Sequence, residues 1–562
     1  MMYKFLLVPL LISIGAIRCV AASPLGVPSL RKVALSGESA PGAGRTFNRN
    51  FGPPVINNLS KTAFSGNLNC CDIPGGVWST GAGSLNAVGL IGSPAQPGGS
   101  QKYLSFYSVQ LDDLGRTTIT AQITDAPAEF QGVFTGLDSS NVNRIAASGQ
   151  PIAGSNPSRT FFDVGGVAVG SNGYMVAAVV SQGSSITSLL WASDGNSAGH
   201  KLLQNGDPVP FAGSNIVFGN LVHNTFYRPQ VNSHGQLGLR TSFVNSQTNE
   251  INYDYHLMLI DTDNHLESVL DSGDPAPGFA AGVKFGAISD PAMNNLGDFA
   301  YGAVIGPFGV GSRAGVWISK HGLAPQLIAL EKTQPPGMPT FTFAKTYFSD
   351  TGDNFVRISD KQDVVFRAEI DGPGLHDAES VWIGSSASNV HPLVVEGSSV
   401  PERSGVVFRS MTSTSGDLIN ELTMNKNSQV AFLASVSGIG PDLRRGLFAT
   451  DTSGSLHPII VYGDMIEVSP GDFRQVDDIN FDGGRFNPGS GLNDLGEVAF
   501  AVRFTDGSGG VFVSTAVAIP EPTATVAFGL CIALALLSPL RRRNHALLSK
   551  HGARIRDAAL FS

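Results

Sequence analysis

The 562-residue sequence has few charged residues, few cysteines and no long helix-forming stretches. Charged residues make up 14% of the chain, whereas 67 residues are glycine and 33 are proline. Glycine and proline favour turns and are poor in helix interiors, which argues against a helical protein and favours an all-β fold. A chain of this length exceeds one ordinary core, so we expect several domains or one large repetitive domain.

The sequence also lacks the local motifs of common catalytic and metal sites. Its eleven histidines show no HExxH or paired-histidine spacing, and there is no Walker phosphate loop. A nucleophile-elbow pattern occurs at Gly195–Gly199, but it joins two predicted strands rather than a strand and a helix. Asp261–Asn264 offers oxygen atoms for Ca²⁺ but lacks the other acidic positions of a calcium loop, so an Asp-rich turn is preferred. The sequence therefore predicts no metal and no cofactor.

Only four cysteines are present, and two of them, Cys19 and Cys531, lie in apolar segments near the two ends. The adjacent Cys70 and Cys71 remain, which excludes a framework of several disulfides. This pair can close a strained disulfide, bond to another chain or be two thiols in a loop, and the sequence leaves its state open.

Acidic residues outnumber basic ones. Without the first 22 residues and the segment after Pro520, 28 basic and 43 acidic side chains remain, a formal charge of about −15. Such a surface repels phosphate backbones, so nucleic acid is not an expected partner. Cations and neutral glycans are compatible with it.

The N-terminal residues 1–22 have the pattern of a secretory signal peptide. Lys4 precedes an apolar run, and small residues stand before the expected cleavage point after Ala22. We therefore expect the chain to be exported.

A second apolar segment lies near the C-terminus. The 18 uncharged residues 523–540 would span about 27 Å as a helix, enough to cross a bilayer core. Arg541, Arg542 and Arg543 follow, and the positive-inside rule predicts that residues 541–562 form a basic cytoplasmic tail. The simplest interpretation is a C-terminal membrane anchor.

Residues 516–522 link this segment to the rest of the chain and end in Pro520, Glu521 and Pro522. Pro-Glu-Pro, an apolar helix and an arginine cluster, in this order, resemble the PEP-CTERM sorting domain of exopolysaccharide-producing Gram-negative bacteria. The resemblance covers about 25 residues. It implies recognition by an exosortase, a membrane-embedded sorting enzyme, and retention at the cell envelope or cell surface. The family usually ends soon after its basic cluster, whereas residues 544–562 continue here, so cleavage of the signal is left open.

Residues 31–515 repeat one short phrase: an apolar residue, Asn or Asp, a turn with Gly, then alternating small and large apolar residues. Eight copies occur, spaced roughly 55 to 68 residues apart, and Met293–Tyr301 and Leu492–Phe500 are the clearest. Asn and Gly tolerate the left-handed conformations that hairpin turns require, so the Asn is expected to form turns rather than to bind a ligand. The predicted turn residues are Asn57, Asn232, Asn294, Gly297, Asn425, Asn493 and Gly496.

Two further phrases recur in step with the first. A short strand with an aromatic residue or Leu at its centre, such as Gly315–Ser319, is followed by a strand that ends in a Gly/Pro loop, such as Leu270–Gly278. Each unit thus has about four short strands and cannot bury both of its faces alone, so it needs stacked neighbours.

The ends of the repeat region favour a ring over a linear stack. Val33–Gly42 is the last strand and loop of a unit that has no beginning, whereas the final unit stops after Val511–Thr515 without that strand. An N-terminal strand that completes the last unit would close a β-propeller and leave no free edge. We predict about eight four-stranded blades; a linear stack and a seven-bladed ring with one aberrant unit are the alternatives.

Asn493, Gly496, Ala499 and Phe500 match the NxxGxxAF signature in full. The repeats therefore resemble the bacterial choice-of-anchor tandem repeat proteins, over most of residues 31–515. The resemblance implies repeats joined to varied anchors, of which a PEP-CTERM anchor is one, and it implies no known biochemical activity.

Two functions are compatible with these features. The preferred one is an envelope-anchored binding or structural module of the cell surface or extracellular matrix, with polysaccharide as the candidate ligand and no catalysis. The alternative is a secreted propeller enzyme acting on glycans, whose carboxylates converge on the central channel from different blades. Clustered Asp, Glu, Arg or His at one mouth of the channel would favour the enzyme, and a lining of Gly, Ala and Ser would favour the module.

Overall fold

The computed structural model describes residues 30–69, 75–124, 131–152, 159–182, 186–196, 199–219, 229–248, 251–306, 311–346, 356–409, 421–439, 443–484 and 490–518. The described residues form eight antiparallel sheets arranged as the blades of a β-propeller, and they contain no helix. No stretch of these residues is a helix able to cross a membrane. The predicted signal peptide, Cys70 and Cys71, and residues 519–562 with the predicted sorting signal lie outside the described residues.

The first four blades are preceded by β1, which belongs to the last blade. The strands in chain order are β1 (Leu30–Leu35); in blade 1, β2 (Ser39–Ala40), β3 (Arg45–Phe51), β4 (Val55–Ile56), β5 (Thr62–Leu68), β6 (Gly75–Ser79) and β7 (Asn86–Leu90); in blade 2, β8 (Tyr103–Leu111), β9 (Thr117–Ile123), β10 (Gln131–Gly136) and β11 (Asn143–Ala147); in blade 3, β12 (Thr160–Val169), β13 (Met175–Gln182), β14 (Ile186–Ser193) and β15 (His200–Gln204); in blade 4, β16 (Ile216–Phe218), β17 (Gln230–Val231), β18 (Leu237–Asn245), β19 (Ile251–Ile260) and β20 (Leu266–Asp271).

The remaining four blades follow the same order. They are, in blade 5, β21 (Phe285–Ile288), β22 (Ala292–Met293), β23 (Phe299–Ile305), β24 (Arg313–Ser319) and β25 (Gln326–Leu330); in blade 6, β26 (Thr342–Thr346), β27 (Val356–Ile358), β28 (Val364–Gly372), β29 (Leu375–Gly384) and β30 (His391–Val395); in blade 7, β31 (Val407–Phe408), β32 (Leu422–Met424), β33 (Val430–Ser437), β34 (Arg444–Thr450) and β35 (Leu456–Val461); in blade 8, β36 (Met465–Ser469), β37 (Asp472–Asn480), β38 (Val498–Phe504) and β39 (Gly509–Ser514).

The innermost strand is continuous in blades 2 and 3 but divided in several others. In blade 5, for example, β21 and β22 both pair with β23. The short inner pieces contact their counterparts in neighbouring blades, β17 with β22, β22 with β27 and β27 with β32. These contacts place the inner pieces side by side around a central channel.

Apolar burial between blades explains why the second and third strands are apolar on both faces. Val498, Ala499 and Phe500 of β38 are fully buried, as expected for a sheet covered on both sides. The aromatic residue at the centre of the third strand packs edge-on against an aromatic residue of the first strand. The ring centroids are 4.9 Å apart in Phe47–Trp78, 4.8 Å in Phe285–Trp317, 4.9 Å in Phe343–Trp382 and 4.8 Å in Phe408–Phe448.

The N-terminal strand closes the ring. β1 runs antiparallel to β39, with Leu30 opposite Ser514 and Leu35 opposite Gly510, and so forms the outermost strand of blade 8. The prediction of an eight-bladed ring closed by the N-terminal strand is confirmed, and the linear stack and the seven-bladed ring are excluded.

The two faces of the ring differ in what they carry. On one face, here called the turn face, lie the turns between first and second strands, the connections between third and fourth strands, and both ends of the described ring, Leu30 and Ala518. On the opposite face, the tongue face, each Gly/Pro loop leads into the next blade; in blade 5 an isolated bridge between Pro275 and Lys284 holds this loop as a hairpin.

Candidate functional site in the central channel

The predicted turn residues lie where the inner strands end, at the turn-face end of the channel. In blade 8, Oδ1 of Asn493 accepts hydrogen bonds from the backbone N–H groups of Leu495 (3.1 Å) and Glu497 (2.9 Å). Asn57, Asn232, Asn294 and Asn425 cap their own turns in the same way.

Glycine is required at the fourth position of the two clearest turns. Gly297 and Gly496 both have φ of +79°, a conformation that other residues adopt at a cost. At Gly496 a Cβ atom would also lie 2.7 Å from the carbonyl oxygen of Val517. This glycine therefore lets the end of the ring pack against the turn.

The same asparagines also join each blade to the next. Their Nδ2 atoms donate to the carbonyl oxygen of the residue at the equivalent position of the following blade. The pairs are Asn57 to Asp112 (2.7 Å), Asn232 to Asn294 (3.3 Å), Asn294 to Ser359 (3.0 Å), Asn425 to Asn493 (2.9 Å) and, closing the circle, Asn493 to Asn57 (2.9 Å). Blade 3 has Gly170 there, and a Cβ at this position would lie 2.6 Å from the carbonyl oxygen of Asn232.

A second set of hydrogen bonds runs parallel to the first, through the residue after each turn Asn. Its backbone N–H donates to the side chain of its counterpart in the next blade: Asn58 to Asp113 (2.8 Å), Ser233 to Asn295 (2.8 Å), Asn295 to Asp360 (2.9 Å), Lys426 to Asp494 (3.1 Å) and Asp494 to Asn58 (2.8 Å). We call the two sets together the mouth ring.

The acidic residues of the mouth ring are occupied by these contacts. The amide groups of Asn58 and Asn295 donate to the second carboxylate oxygens of Asp113 and Asp360, each at 2.9 Å. The ammonium group of Lys426 lies 3.1 Å from Asp494. The three carboxylates of this second set, those of Asp113, Asp360 and Asp494, are thus each held by groups of the neighbouring blade.

The sequence did not reveal this second role of the asparagines. The donor and acceptor in each pair are 55 to 68 residues apart, and 436 apart at the closure. One signal was available: seven of the eight copies have a small polar or acidic residue directly after the turn Asn or its substitute, and the eighth has Lys426.

The residues of the mouth ring line a cavity of about 300 Å³, at the low end of the range for ligand pockets. Its lining includes Asp290, Arg357 and Gly484. The guanidinium group of Arg357, in blade 6, reaches blade 8 and donates to the carbonyl oxygens of Gly483 (3.2 Å) and Gly484 (3.3 Å). The side chain of Arg357 thus passes blade 7 and bonds directly to blade 8.

Buried charges surround the channel further from the mouth. Arg240 and Asp290 form an ion pair of 2.8 Å with both side chains 3% exposed. Burial raises the pKa of Glu421 to about 7, against the opposing effect of Arg445 and Arg367. Burial likewise raises the pKa of Asp482 to about 6, despite the hydrogen bond from Gly484 N–H at 2.7 Å. None of these residues was singled out from the sequence, because no local motif marks them.

Near the tongue face, the inner strands of blades 2 and 3 carry β-bulges at equivalent positions. In β8 the register skips Leu104 and Tyr107, and in β12 it skips Phe162. A bulged residue leaves the ladder and its side chain is re-aimed. The exposed fractions are 46% for Leu104, 57% for Tyr107 and 37% for Phe162. The innermost strands of blades 2 and 3 therefore carry large exposed side chains near the tongue face.

An open cavity of about 660 Å³ also lies on this side, between the loops Ala95–Gln101 and Ser148–Pro151. Arg144 lines it and donates to Oε1 of Gln101 at 3.2 Å. Its lining combines polar side chains with Pro97, Pro151 and Phe134, the large apolar member.

The two doubtful motifs of the sequence lie in connections between third and fourth strands. Gly195 and Gly199 lie between β14 and β15, and residues 197–198 are outside the described part. Oδ1 of Asp261 accepts from the N–H groups of Asp263 (2.9 Å) and His265 (2.8 Å), as an Asp-rich turn does.

One group of side chains in the described ranges has the spacing of metal ligands. Oxygen or nitrogen atoms of Asp371, His376 and Asp377 lie within 4.8 Å of one another in the hairpin between β28 and β29. Nδ1 of His376 already contacts both carboxylates, at 3.2 and 3.0 Å, and is 82% exposed. Contacts among these three exposed side chains account for this arrangement without an ion.

A family model described as a family of unknown function, DUF7453, matches residues 25–324 and, overlapping, residues 212–526. Among proteins with curated descriptions, none matches this chain.

Solved structures are similar at low sequence identity. They include a puromycin-hydrolysing peptidase of Mycobacterium tuberculosis (12% identity, TM-score 0.36, 84% of this chain and 61% of that chain) and the polysaccharide lyase Uly1 (10%, 0.36, 75% and 93%). A periplasmic gluconolactonase of Pseudomonas aeruginosa, PpgL, is also similar (13%, 0.27, 65% and 95%). This chain spans about three fifths of the length of the peptidase. At such TM-scores the similarities say nothing about activity.

Proposed function

The chain belongs to DUF7453, and because the function of that family is unknown we propose one from the residues themselves. We propose that it is an exported propeller, anchored at the cell envelope, which acts as a binding or structural module of the cell surface or extracellular matrix. The observation that carries the proposal is the mouth ring, whose polar side chains are used to hold blades together.

The turn-face mouth of the channel carries clustered charged residues, the feature expected of an enzyme, but the contacts of these residues support a module. A catalytic carboxylate must be within reach of a substrate atom. Asp113, Asp360 and Asp494 instead accept bonds from the adjoining blade, and Arg357 is bonded to backbone carbonyl groups. These four charged side chains therefore serve to fix the blades.

Delivery to the envelope is part of the proposal. Its support is the order of Pro520–Pro522, the apolar residues 523–540 and Arg541–Arg543, which resembles the PEP-CTERM sorting signal and makes an exosortase-type enzyme the proposed partner. The NxxGxxAF resemblance, with its varied anchors, agrees with this arrangement.

Extracellular polysaccharide is the proposed ligand, and the tongue-face end of the channel is the proposed place. Amphipathic aromatic rings bind well to flat ligands that have an apolar face, as sugar rings do. Tyr107 lies on a bulge with 57% of its surface exposed, beside the exposed Leu104. An acidic body also fits neutral glycans better than acidic ones.

The test of delivery uses the full chain in a bacterium with an exosortase. We expect wild-type protein in the envelope fraction and Pro520→Ala/Pro522→Ala protein to be mis-sorted, with Pro53→Ala as the control for a proline outside the signal. Equal distribution of all three proteins would contradict sorting by this signal.

The test of binding uses the full chain in detergent and a set of bacterial exopolysaccharides. We expect one of them to bind and Tyr107→Ala to weaken that binding at least tenfold. Leu443→Ala, which removes a side chain of similar exposure from a distant hairpin, serves as the control. If no glycan binds, a purely structural role remains and the binding role is wrong.

The second candidate, a glycan-active enzyme, is favoured by Glu421. A carboxyl with its pKa raised to about 7, near Arg367 and Arg445, has the property of a general acid at neutral pH. Release of sugar fragments that Glu421→Gln abolishes, with the fold intact, would establish the enzyme and overturn the module.

A further inference from the structure

Exposed leucines recur at one position of the turn face. The third residue of the turn is Leu59 in blade 1, Leu114 in blade 2 and Leu495 in blade 8, with exposed fractions of 58%, 60% and 40%. These blades are consecutive in the closed ring, and the mouth ring bonds their turns to each other. The three leucines therefore form one apolar arc.

The opposite side of the same face also carries leucines. In blade 5, Leu296 occupies the same turn position with 54% exposure, and Leu323 in the following connection is 66% exposed. In blades 3, 4, 6 and 7 the position is polar: Asn172, His234, Lys361 and Asn427. Apolar contacts are thus available at two opposite sides of the ring.

The chain leaves the ring on this face, close to the arc. The backbone carbonyl of Val517 accepts a hydrogen bond of 2.8 Å from Nε2 of Gln429, and the Val517 side chain is 2% exposed. Gly496, next to Leu495, packs against the same carbonyl. Only residues 519–522 separate this point from the apolar segment, and four extended residues reach at most about 14 Å.

We propose that the turn face lies flat on the bilayer surface, with these leucines inserted among the lipid headgroups. The inference rests on the proposed anchor at residues 523–540, since that short link holds the turn face near the lipid. Leucines on both sides of the ring support a flat orientation rather than a tilted one. Two basic residues lie near Leu59 in this turn. The guanidinium group of Arg31 donates to the carbonyl oxygen of Ser60 at 2.9 Å, and Lys61 follows Ser60 in the chain, so both can contact lipid phosphate.

This orientation explains why the side chains at the two ends of the channel differ. In this orientation the mouth ring faces the membrane, where a matrix ligand has no access. Its side chains form hydrogen bonds between neighbouring blades instead. The bulged strands with Tyr107 and Leu104 face outward, toward the matrix.

The test places tryptophan at the proposed contacts in the full chain, reconstituted in phosphatidylcholine vesicles with brominated acyl chains. The four native tryptophans are at most 2% exposed and give a background shielded from lipid. We expect emission of Leu59→Trp and Leu296→Trp proteins to fall at least twofold more than that of Phe211→Trp, a control on the tongue face with 45% exposure.

The outcomes separate the docking from the anchor. Flotation with the vesicles but equal quenching at all three positions would overturn the docking and leave the anchor intact, and would point to a protein partner for the leucines. Failure to float would contradict both. As a second check, Leu59→Ser/Leu114→Ser/Leu495→Ser should reduce the quenching at Leu296→Trp; unchanged quenching would argue against a shared flat contact.

Discussion

The innermost strands differ in their contacts at the two ends of the channel. At the turn face, side-chain amides and carboxylates form hydrogen bonds with the neighbouring blade, as Asn493 does with Asn57 and Asp360 does with Asn295. These polar groups therefore hold the blades together. At the tongue face, the innermost strands of blades 2 and 3 contain β-bulges, and the residues that the strand pairing skips there have large exposed side chains. The same innermost strands thus bond neighbouring blades at one end and expose large side chains at the other, where a ligand is proposed to bind.

The largest expected effect comes from opening the ring. Deleting Leu30–Leu35 after the signal peptide removes β1 and exposes β39 as a free edge. We expect the melting temperature of the full chain to fall by more than about 10 °C. Calorimetry would measure it, with deletion of residues 557–562 as the control of equal length. Equal melting of both variants would show that the turn-face bonds close the ring unaided.

Removing one amide of the mouth ring should have the next largest effect. Asn493→Ala removes two turn caps, the bond to Asn57 and a bond of 2.7 Å to Glu497, at a position 4% exposed. We expect a loss of about 3 kcal/mol in the free energy of unfolding, at about 1 kcal/mol for each of the three bonds that are buried, those to Asn57, to the Glu497 carboxylate and from the Glu497 N–H group. Asn172→Ala, an exposed turn residue, should cost far less in the same denaturant titration. Similar losses would mean that the Asn acts only as a local turn former.

The pH dependence of stability tests the buried charges between the two ends. Because the folded-state pKa of Glu421, about 7, is above its usual 4.5, its contribution is complete below pH 4.5 and is lost as the pH rises through 7. We expect the wild type to lose on the order of 2 kcal/mol between pH 4.5 and 8. Glu421→Gln should flatten this slope, leaving the smaller part that comes from Asp482. A slope that is unchanged in the variant would show that Glu421 is not buried as described.

The smallest effect is expected at the tongue-face end. Tyr107→Ala should change the free energy of unfolding by less than about 0.5 kcal/mol, since exposed side chains outside the core contribute little. Chemical denaturation measures this. A larger loss would mean that Tyr107 packs within the blade, and the contrast between the two ends would disappear.

The architecture could be predicted because its markers are local. Five of the eight turns begin with Asn and five have Gly at their fourth position, the third strands have a large side chain near their centre, and the incomplete units at Val33–Gly42 and Val511–Thr515 are complementary. Counting these patterns predicts the number of blades and the closure of the ring, because each blade buries both faces of its sheet with similar residues.

The channel could not be predicted in the same way. The bond of Asn493 to Asn57 joins residues 436 positions apart, and Arg357 reaches Gly483 past an entire blade. The division of the inner strands and the bulges at Leu104 and Tyr107 depend on how eight blades share a limited circumference. Such features arise from three-dimensional closure and leave no pattern within one repeat.

The position of β39 between β38 and β1 has a mechanical consequence. A pull on the chain beyond Ala518 loads β39 along its own length, against ladders on both of its edges, six residue pairs with β38 and five with β1. These ladders must shear together rather than open one bond at a time. If the proposed anchor follows Ala518, a force transmitted through it would be resisted by both ladders, with β1 holding β39 along its outer edge.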